Sequence, residues 1–316
     1  MNRKVTIIGA GAVGSSIGYL LVAEGLASEI VFIDVNKEKA LGEAMDIYQA
    51  TPFLSPAIVR AGEYSDAENS DLVIITSGIA RKPGQTRIDL AQTNVNILKS
   101  IAPQITAVAP NAIYIIVANP VDVLTYTFHQ ITNIPAERII GSGTSLDTAR
   151  LRTRLSEIYK VSPKQVHANV LGEHGDTSFV AWSMARIAGV PLDEYSAVMT
   201  DKENGEVHFD KNEVLEYVKK SGGVIISRKG ATYNGVAAAV VYICKCLFAG
   251  VDSILCVSAL LKGEYGIEDV CISIPVVLGK EGIVSTLTPT LTDEEVELLK
   301  TSAKAMRDVI DQVNCK

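Results

Sequence analysis

No pair among the five cysteines, Cys244, Cys246, Cys256, Cys271 and Cys315, stands at a metal-ligand spacing. Cys244 and Cys246 fall two apart inside a helical pattern, where such positions face apart. The expectation is therefore buried free thiols, no bound metal, and a reducing, cytoplasmic setting. Also missing is any apolar run near the ~18–20 residues that a membrane span requires. The opening, "MNRKVTIIGAGAVG", places two cations before apolar residues as a leader peptide does, but Thr6 and the glycines break the run. Basic residues are not in excess: 29 Lys and Arg stand against 36 Asp and Glu, a net charge of −7. That balance argues against a nucleic-acid or membrane partner, which selects a basic face. Repeats, low-complexity segments and disordered linkers are absent too. The 316 residues, 47% apolar and 21% charged, read as an ordinary globular chain with one large core or two modest ones.

Against these absences stands a regular alternation in the first half. Continuous apolar runs at 4–8, 29–34, 57–62, 71–76 and 112–119 read as strands, and the stretches at 12–25, 37–49 and 88–109 read as helices between them. Strands apolar on both faces and joined by helices predict an α/β fold, a doubly wound parallel sheet of the Rossmann type. The pattern changes at about residue 145. Beyond it come a helix over 146–159 and strands near 165–171, 178–187, 253–261 and 268–277. A helical stretch over 211–248 looks interrupted near Gly222-Gly223 and Gly230, and a last helix opens with the capping box Thr292-x-x-Glu295. The expected division is a dinucleotide-binding domain over 1–145 and an α+β catalytic domain over 146–316.

"GAGAVG" gives Gly9-x-Gly11-x-x-Gly14 directly after the first strand and at the start of the first helix. Gly9 suits a tight turn, Gly11 lets a pyrophosphate approach the backbone, and Gly14 lets the helix sit close to the sheet. Asp34 ends the second strand about 20 residues on, where a carboxylate accepts ribose hydroxyls and repels a 2′-phosphate. These residues predict NAD as the cofactor.

A second cluster lies in the other half. His174, one of four histidines, sits in "LGEHGDTS" between Gly172 and Gly175 at a strand end. Upstream, "GSGTSLDTARLR" puts Asp147 and Arg150 on one helix face. The plainer readings are a capping-box partnership of Asp147 with Thr144, and an Arg150–Asp147 ion pair. A third feature is "SGIARKPGQTRIDL" (77–90), a short loop that gathers Arg81, Lys82 and Arg87 after a buried strand.

With "ANPVDVLTY" and "KGATYNG" added, the sequence resembles the L-lactate/L-malate dehydrogenase family along essentially its whole length, and its second-half motifs look most like the bacterial lactate-dehydrogenase branch. The resemblance implies reversible hydride transfer between NADH and a small 2-keto acid. It makes His174 the proton donor and acceptor, and Asp147 the group that fixes its tautomer and stabilises the imidazolium. It assigns Arg150 to the substrate carboxylate, Arg87 to the ketone oxygen, and Asn119 to cofactor and substrate, with Asn119-Pro120 in a tight or non-trans turn. A near-neutral imidazole beside a buried carboxylate suits that chemistry. Residues 77–87 become a lid, with Gly78 and Gly84 as hinges, that carries Arg87 onto the substrate. An NAD-dependent glycosidase would need a Cys/His metal site, and a mere NAD sensor would be expected to lack one of Asp147, Arg150, His174 or Arg87.

Substrate choice turns on Arg81. In the family the residue before "KPG" faces the substituent on the third carbon: usually Gln for lactate, Arg for malate. A guanidinium pairs with the second carboxylate of oxaloacetate, whereas burying it against the methyl of pyruvate costs roughly 2–5 kcal/mol. Arg81 thus favours L-malate/oxaloacetate, while "QTRIDL" and Thr232 fit an L-lactate pocket, the alternative. The family further implies a homodimer or homotetramer. In its members activated by fructose 1,6-bisphosphate, an arginine and a histidine hold a phosphate at a subunit interface, and Arg152 and His167 occupy the matching positions.

Overall fold

Burial on both faces shapes the first half of the chain. Its apolar runs form β1 (Lys4–Ile8), β2 (Glu29–Ile33), β3 (Ile58–Ala61), β4 (Leu72–Ile75) and β5 (Ile113–Ile116), followed by a short β6 (Ile139–Gly141). Each of β4 and β5 is buried at every position, a pattern that needs cover on both sides of the sheet. The cover comes from the intervening helices α1 (Ala12–Ala23), α2 (Lys37–Ala50), α3 (Arg87–Val108) and α4 (Val121–Ile131). The strands pair in parallel in the order β3-β2-β1-β4-β5-β6. The order reverses between β1 and β4, which opens a crevice above the carboxyl ends of these strands.

The chain then passes through α5 (Ser145–Tyr159) into short strands, β7 (Val166–His167), β8 (Val170–Leu171), β9 (Phe179–Val180), β10 (Arg186–Ile187) and β11 (Val190–Pro191). After α6 (Leu192–Val198), β12 (Thr200–Asp201) and β13 (Gly205–Glu206), two long helices follow, α7 (Lys211–Lys229) and α8 (Asn234–Phe248). The hairpin strands β14 (Ser253–Lys262), β15 (Glu268–Gly279) and β16 (Gly282–Thr286) precede the last helix, α9 (Asp293–Gln312). β14 meets β6 at Ser258 and Gly141, so among the described residues the main sheet has nine strands, antiparallel at this end. One hydrophobic core therefore runs through both halves. A smaller cluster, built on Leu151, Leu155, Tyr159, Val214 and Val218, sits under α5 and α7. The computed structural model describes residues 3–80, 84, 86–198, 200–201, 205–206 and 209–315, and Arg81 and Lys82 lie outside the described residues.

Several elements depart from expectation. The strands expected at 165–171 and 178–187 are each split into two short pieces. The second split has a visible cause: Trp182–Met184 forms a 3-10 turn, and Glu295 of α9 accepts hydrogen bonds from Ser183 N at 3.0 Å and Ser183 Oγ at 2.5 Å. The same carboxylate completes the α9 capping box with Thr292. Next, α7 is unbroken through Gly222-Gly223, and the chain turns only at Gly230, whose φ is +85°. Two interior glycines cost a helix about 1 kcal/mol each relative to alanine, so packing outweighs propensity here. Finally, β16 was not expected: it follows a tight reversal at Gly282, φ +111°, too short to announce itself in sequence.

Candidate active site

The glycine loop lies over β1. Gly9 has φ +108°, and a Cβ there would meet Thr76 Oγ1 at 2.6 Å. A Cβ on Gly14 would lie 1.9 Å from Gly9 O, so α1 can approach the turn only without one. Gly11 is different: nothing stands within 4 Å of its Cβ position, which leaves its backbone open to a ligand. No side chain caps α1, and the N–H groups of its first turn are free to meet an anion. Asp34 accepts Ala10 N at 2.7 Å and Asn36 N at 2.8 Å. Each carboxylate oxygen keeps a further lone pair for a hydroxyl. This surface fits the pyrophosphate and ribose of a dinucleotide.

Further along the crevice, the first turn of α5 presents Asp147, and Arg150 follows one turn later. Asp147 is buried, with 5% of its surface exposed. Its Oδ1 accepts Arg150 Nη1 at 2.9 Å, and its Oδ2 lies 2.5 Å from His174 Nδ1. The Arg150–Asp147 ion pair of the plainer reading is thus present alongside the histidine contact. The expected alternative for Asp147, a capping box with Thr144, is not formed, because Thr144 Oγ1 donates to Val170 O at 2.6 Å instead.

His174 is held by three distant elements. Its backbone N donates to Asp122 Oδ2 of α4 at 2.7 Å. Gly172, in the left-handed region at φ +89°, exchanges backbone bonds with Ser273 of β15 at 3.0 and 2.8 Å. Glu173 N donates to Ser302 Oγ of α9 at 2.7 Å. Burial by itself would lower the His174 pKa, but the charge and hydrogen bond of Asp147, with Asp122 adding to them, raise it above its usual value. Burial likewise opposes ionisation of Asp147, and the His174 and Arg150 cations reverse that and hold its pKa down. The pair is built as a carboxylate facing an imidazole that binds its second proton readily.

Asp122 is a member of this site that reading the sequence missed. It is fully enclosed, and burial pushes its carboxyl up to about 6. One oxygen holds His174 N, while Oδ1 has no hydrogen-bond partner among the described residues. The one available signal was an acid in the otherwise apolar opening of a helix, "VDVLTY", since such residues are rarely buried without a purpose.

A cavity of about 440 Å³ joins these residues. Asn119, Asp147, Arg150, His174 and Thr232 line it, as does the α7 face that carries Gly222 and Gly223. Asn119 follows β5, its peptide bond to Pro120 is cis, and its carbonyl accepts Asn94 Nδ2 at 2.6 Å. Arg87 does not line the cavity. It stands at the N-terminus of α3, 63% exposed, and pairs with Asp176 at the cavity rim. Arg152, two residues beyond Arg150, points elsewhere, as helix geometry requires. Its Nε and Nη2 donate to Ala168 O at 3.1 Å and Asn169 Oδ1 at 3.2 Å. It lines a separate cavity of about 330 Å³ with Tyr242 and Cys256. His167 is exposed on β7, next in sequence to Ala168, and its side chain is not bonded to Arg152. All five cysteines are buried and free. None of the described helices is long and apolar enough to cross a membrane.

Comparison with known proteins agrees with this geometry. The lactate/malate dehydrogenase NAD-binding domain profile matches residues 3–141, and the profile of that family's alpha/beta C-terminal domain matches residues 144–316. The chain is 44% identical to L-lactate dehydrogenase 1 of Clostridium acetobutylicum, with 99% of each chain covered. It is 45% identical to the L-lactate dehydrogenase of Acetivibrio thermocellus, covering 98% of this chain and 96% of that one. Among solved structures, the ligand-bound minor L-lactate dehydrogenase of Enterococcus mundtii superposes with a TM-score of 0.93 at 37% identity, covering 100% of this chain and 99% of that one. The chain belongs to the lactate/malate dehydrogenase family, and its cofactor is NAD.

Proposed function

We propose that the protein is an L-lactate dehydrogenase, reducing pyruvate reversibly with NADH. The observation that carries the reading is the buried Asp147–His174 pair beside Arg150 in the cavity at the end of the glycine-loop crevice. Asp147 occupies Nδ1 of His174, so Nε2 is the nitrogen left for substrate. In reduction, a protonated His174 gives its Nε2 proton to the ketone oxygen as negative charge develops there. Asp147 holds the ring and stabilises the imidazolium before the proton leaves. Arg150 has one arm on Asp147 and further N–H donors for the substrate carboxylate. NADH, when bound, supplies the hydride. Gly9, Gly11 and Gly14 form its phosphate turn, Asp34 takes its ribose, and Asn119 lies where cofactor and substrate meet. On the lid reading of residues 77–87, of which 81–83 and 85 lie outside the described residues, Arg87 leaves Asp176 for the ketone oxygen and adds charge stabilisation as water is excluded. The catalytic half begins near residue 145, where the first turn of α5 brings in Asp147. Five free thiols suit a reducing compartment, and by analogy with the family we expect a homodimer or homotetramer.

Malate, the substrate expected from Arg81, finds no support in the relatives described above, which are L-lactate dehydrogenases. The lactate alternative fits them better. Arg81 itself lies outside the described residues, and its charge is the single observation that favours a dicarboxylate. Steady-state kinetics with pyruvate and oxaloacetate, on wild type and Arg81→Gln, test the reading. Pyruvate is expected to have the higher kcat/KM in the wild type, and the substitution to widen the gap. A higher kcat/KM for oxaloacetate that reverses on substitution would establish the malate reading instead.

A further inference from the structure

α7 turns one face to the substrate cavity, and Lys219, Gly222, Gly223 and Ile226 lie on it at helical spacing. The two glycines have no backbone reason to be there. Both lie inside an unbroken helix, and neither has a left-handed φ. Packing does not require them either. A Cβ on Gly223 would meet nothing within 4 Å, and one on Gly222 would meet only Arg150 Nη2, at 3.4 Å, the edge of ordinary contact. Alanine would fit at both sites and strengthen the helix. Both glycines line the cavity, so what the missing methyl groups change is its wall.

Two walls are committed. On the reading proposed above, Arg150 takes the substrate carboxylate and His174 the keto oxygen, so the remaining substituent on C2 must find a surface without those duties. The α7 face is one such surface, beside the side that the family pattern gives to Arg81. Its one cation, Lys219, is tied to Asp176 O at 2.7 Å, and Ile226 continues it as an apolar wall toward Thr232 and Val236. We infer that Gly222 and Gly223 hollow this wall to admit a 2-keto acid whose aliphatic side chain is longer or more branched than the methyl of pyruvate. The specificity of the site is then wider than for pyruvate alone, set by the absence of two methyl groups.

The inference rests on the 2-keto acid dehydrogenase reading, and the experiment separates the two. With NADH as reductant, kcat/KM is measured for pyruvate, 2-ketobutyrate and 2-ketoisocaproate on wild type, Gly223→Ala and the Gly222→Ala/Gly223→Ala double variant. The wild type is expected to reduce all three. The ratio of 2-ketoisocaproate to pyruvate is expected to fall by about tenfold or more in the double variant, since one methyl group in an apolar pocket is worth 10–200-fold. The single variant should lie between. A ratio does not depend on how much enzyme is folded. Displacement of Arg150 by the new Cβ would weaken every 2-keto acid through its carboxylate and leave the ratio in place. An unchanged ratio, or a wild type that reduces pyruvate and not 2-ketoisocaproate, overturns the inference alone. A protein that reduces none of the three overturns the activity reading and takes this inference with it.

Discussion

His174 Nδ1 lies 2.5 Å from one oxygen of Asp147, and Arg150 Nη1 lies 2.9 Å from the other. One buried carboxylate thus serves both a titrating base and a fixed cation. The imidazole gains more from Asp147 than it loses to burial, and its pKa rises above the usual 6.5. Keto acid reduction uses the protonated ring. Its kcat/KM should therefore be level at low pH and fall as pH rises through that elevated value, while oxidation of the hydroxy acid should rise over the same window. Asp147→Asn removes the raising charge, so the fall should move to lower pH, with activity down by about 10²–10⁴-fold. Paired pH–rate profiles for the two enzymes check this. An unmoved inflection would show that another group titrates.

Arg87 and Asp176 are both largely exposed, at 63% and 70%. A pair so open to water contributes at most about 1 kcal/mol. Arg87→Gln should leave the melting temperature nearly unchanged while lowering kcat by about 10²–10³-fold, the usual consequence of losing a group aimed at a developing oxyanion. The comparison of Tm with single-turnover rate is the measurement. A variant with wild-type kcat would keep Arg87 at the rim throughout the cycle.

Asp122 is buried at a cost. Its carboxyl is held near 6 in the fold against an ordinary 3.8. The native state therefore binds more protons than the unfolded chain across that window, and stability falls as pH rises through it, by on the order of 2–3 kcal/mol. Asp122→Asn keeps an oxygen for His174 N and turns an N–H toward Ser258, whose hydroxyl faces the carboxyl and offsets part of the effect of burial. The variant should melt higher than wild type at pH 8, and the difference should shrink toward pH 4. Thermal scans across that range decide it, and a variant that melts lower at pH 8 would mean that the carboxylate charge itself supports the fold.

The features legible in sequence were those whose chemistry is local. Gly9, Gly11 and Gly14 declare a phosphate turn because each answers a steric demand within a few residues. Asp147 and Arg150 share a helix face by spacing alone. The contacts that complete the site cross long stretches of chain. Asp122 reaches His174 over 52 residues and Glu173 reaches Ser302 over 129, distances at which periodicity carries no information. Gly222-Gly223 misled for the opposite reason. Propensity marks a break there, but the packing of α7 against α5 keeps the helix continuous and makes the glycines part of the cavity wall. The strand near 178–187 was lost to Glu295, a residue that the sequence pattern explains fully as a helix cap.

Arg152 offers the last prediction. Burial lowers its pKa, and its partners within the chain are a carbonyl and an amide oxygen, both neutral. Among the described residues no carboxylate compensates its charge. A phosphate would replace neutral acceptors with ionised ones, which bind a guanidinium more strongly. His167 is exposed one residue before Ala168, whose carbonyl Arg152 holds, and β7 and β8 lead on to His174. A bound anion is therefore expected to act on the segment that carries the catalytic histidine. We propose that fructose 1,6-bisphosphate binds at Arg152 and His167 and lowers the KM for the keto acid, and that its effect weakens as salt screens the pairing. Steady-state assays with and without the sugar bisphosphate, on wild type and Arg152→Gln, are the test. Activation of the wild type that disappears in the variant supports the site, an unchanged KM in the wild type rejects it, and activation that survives the substitution places the effector elsewhere.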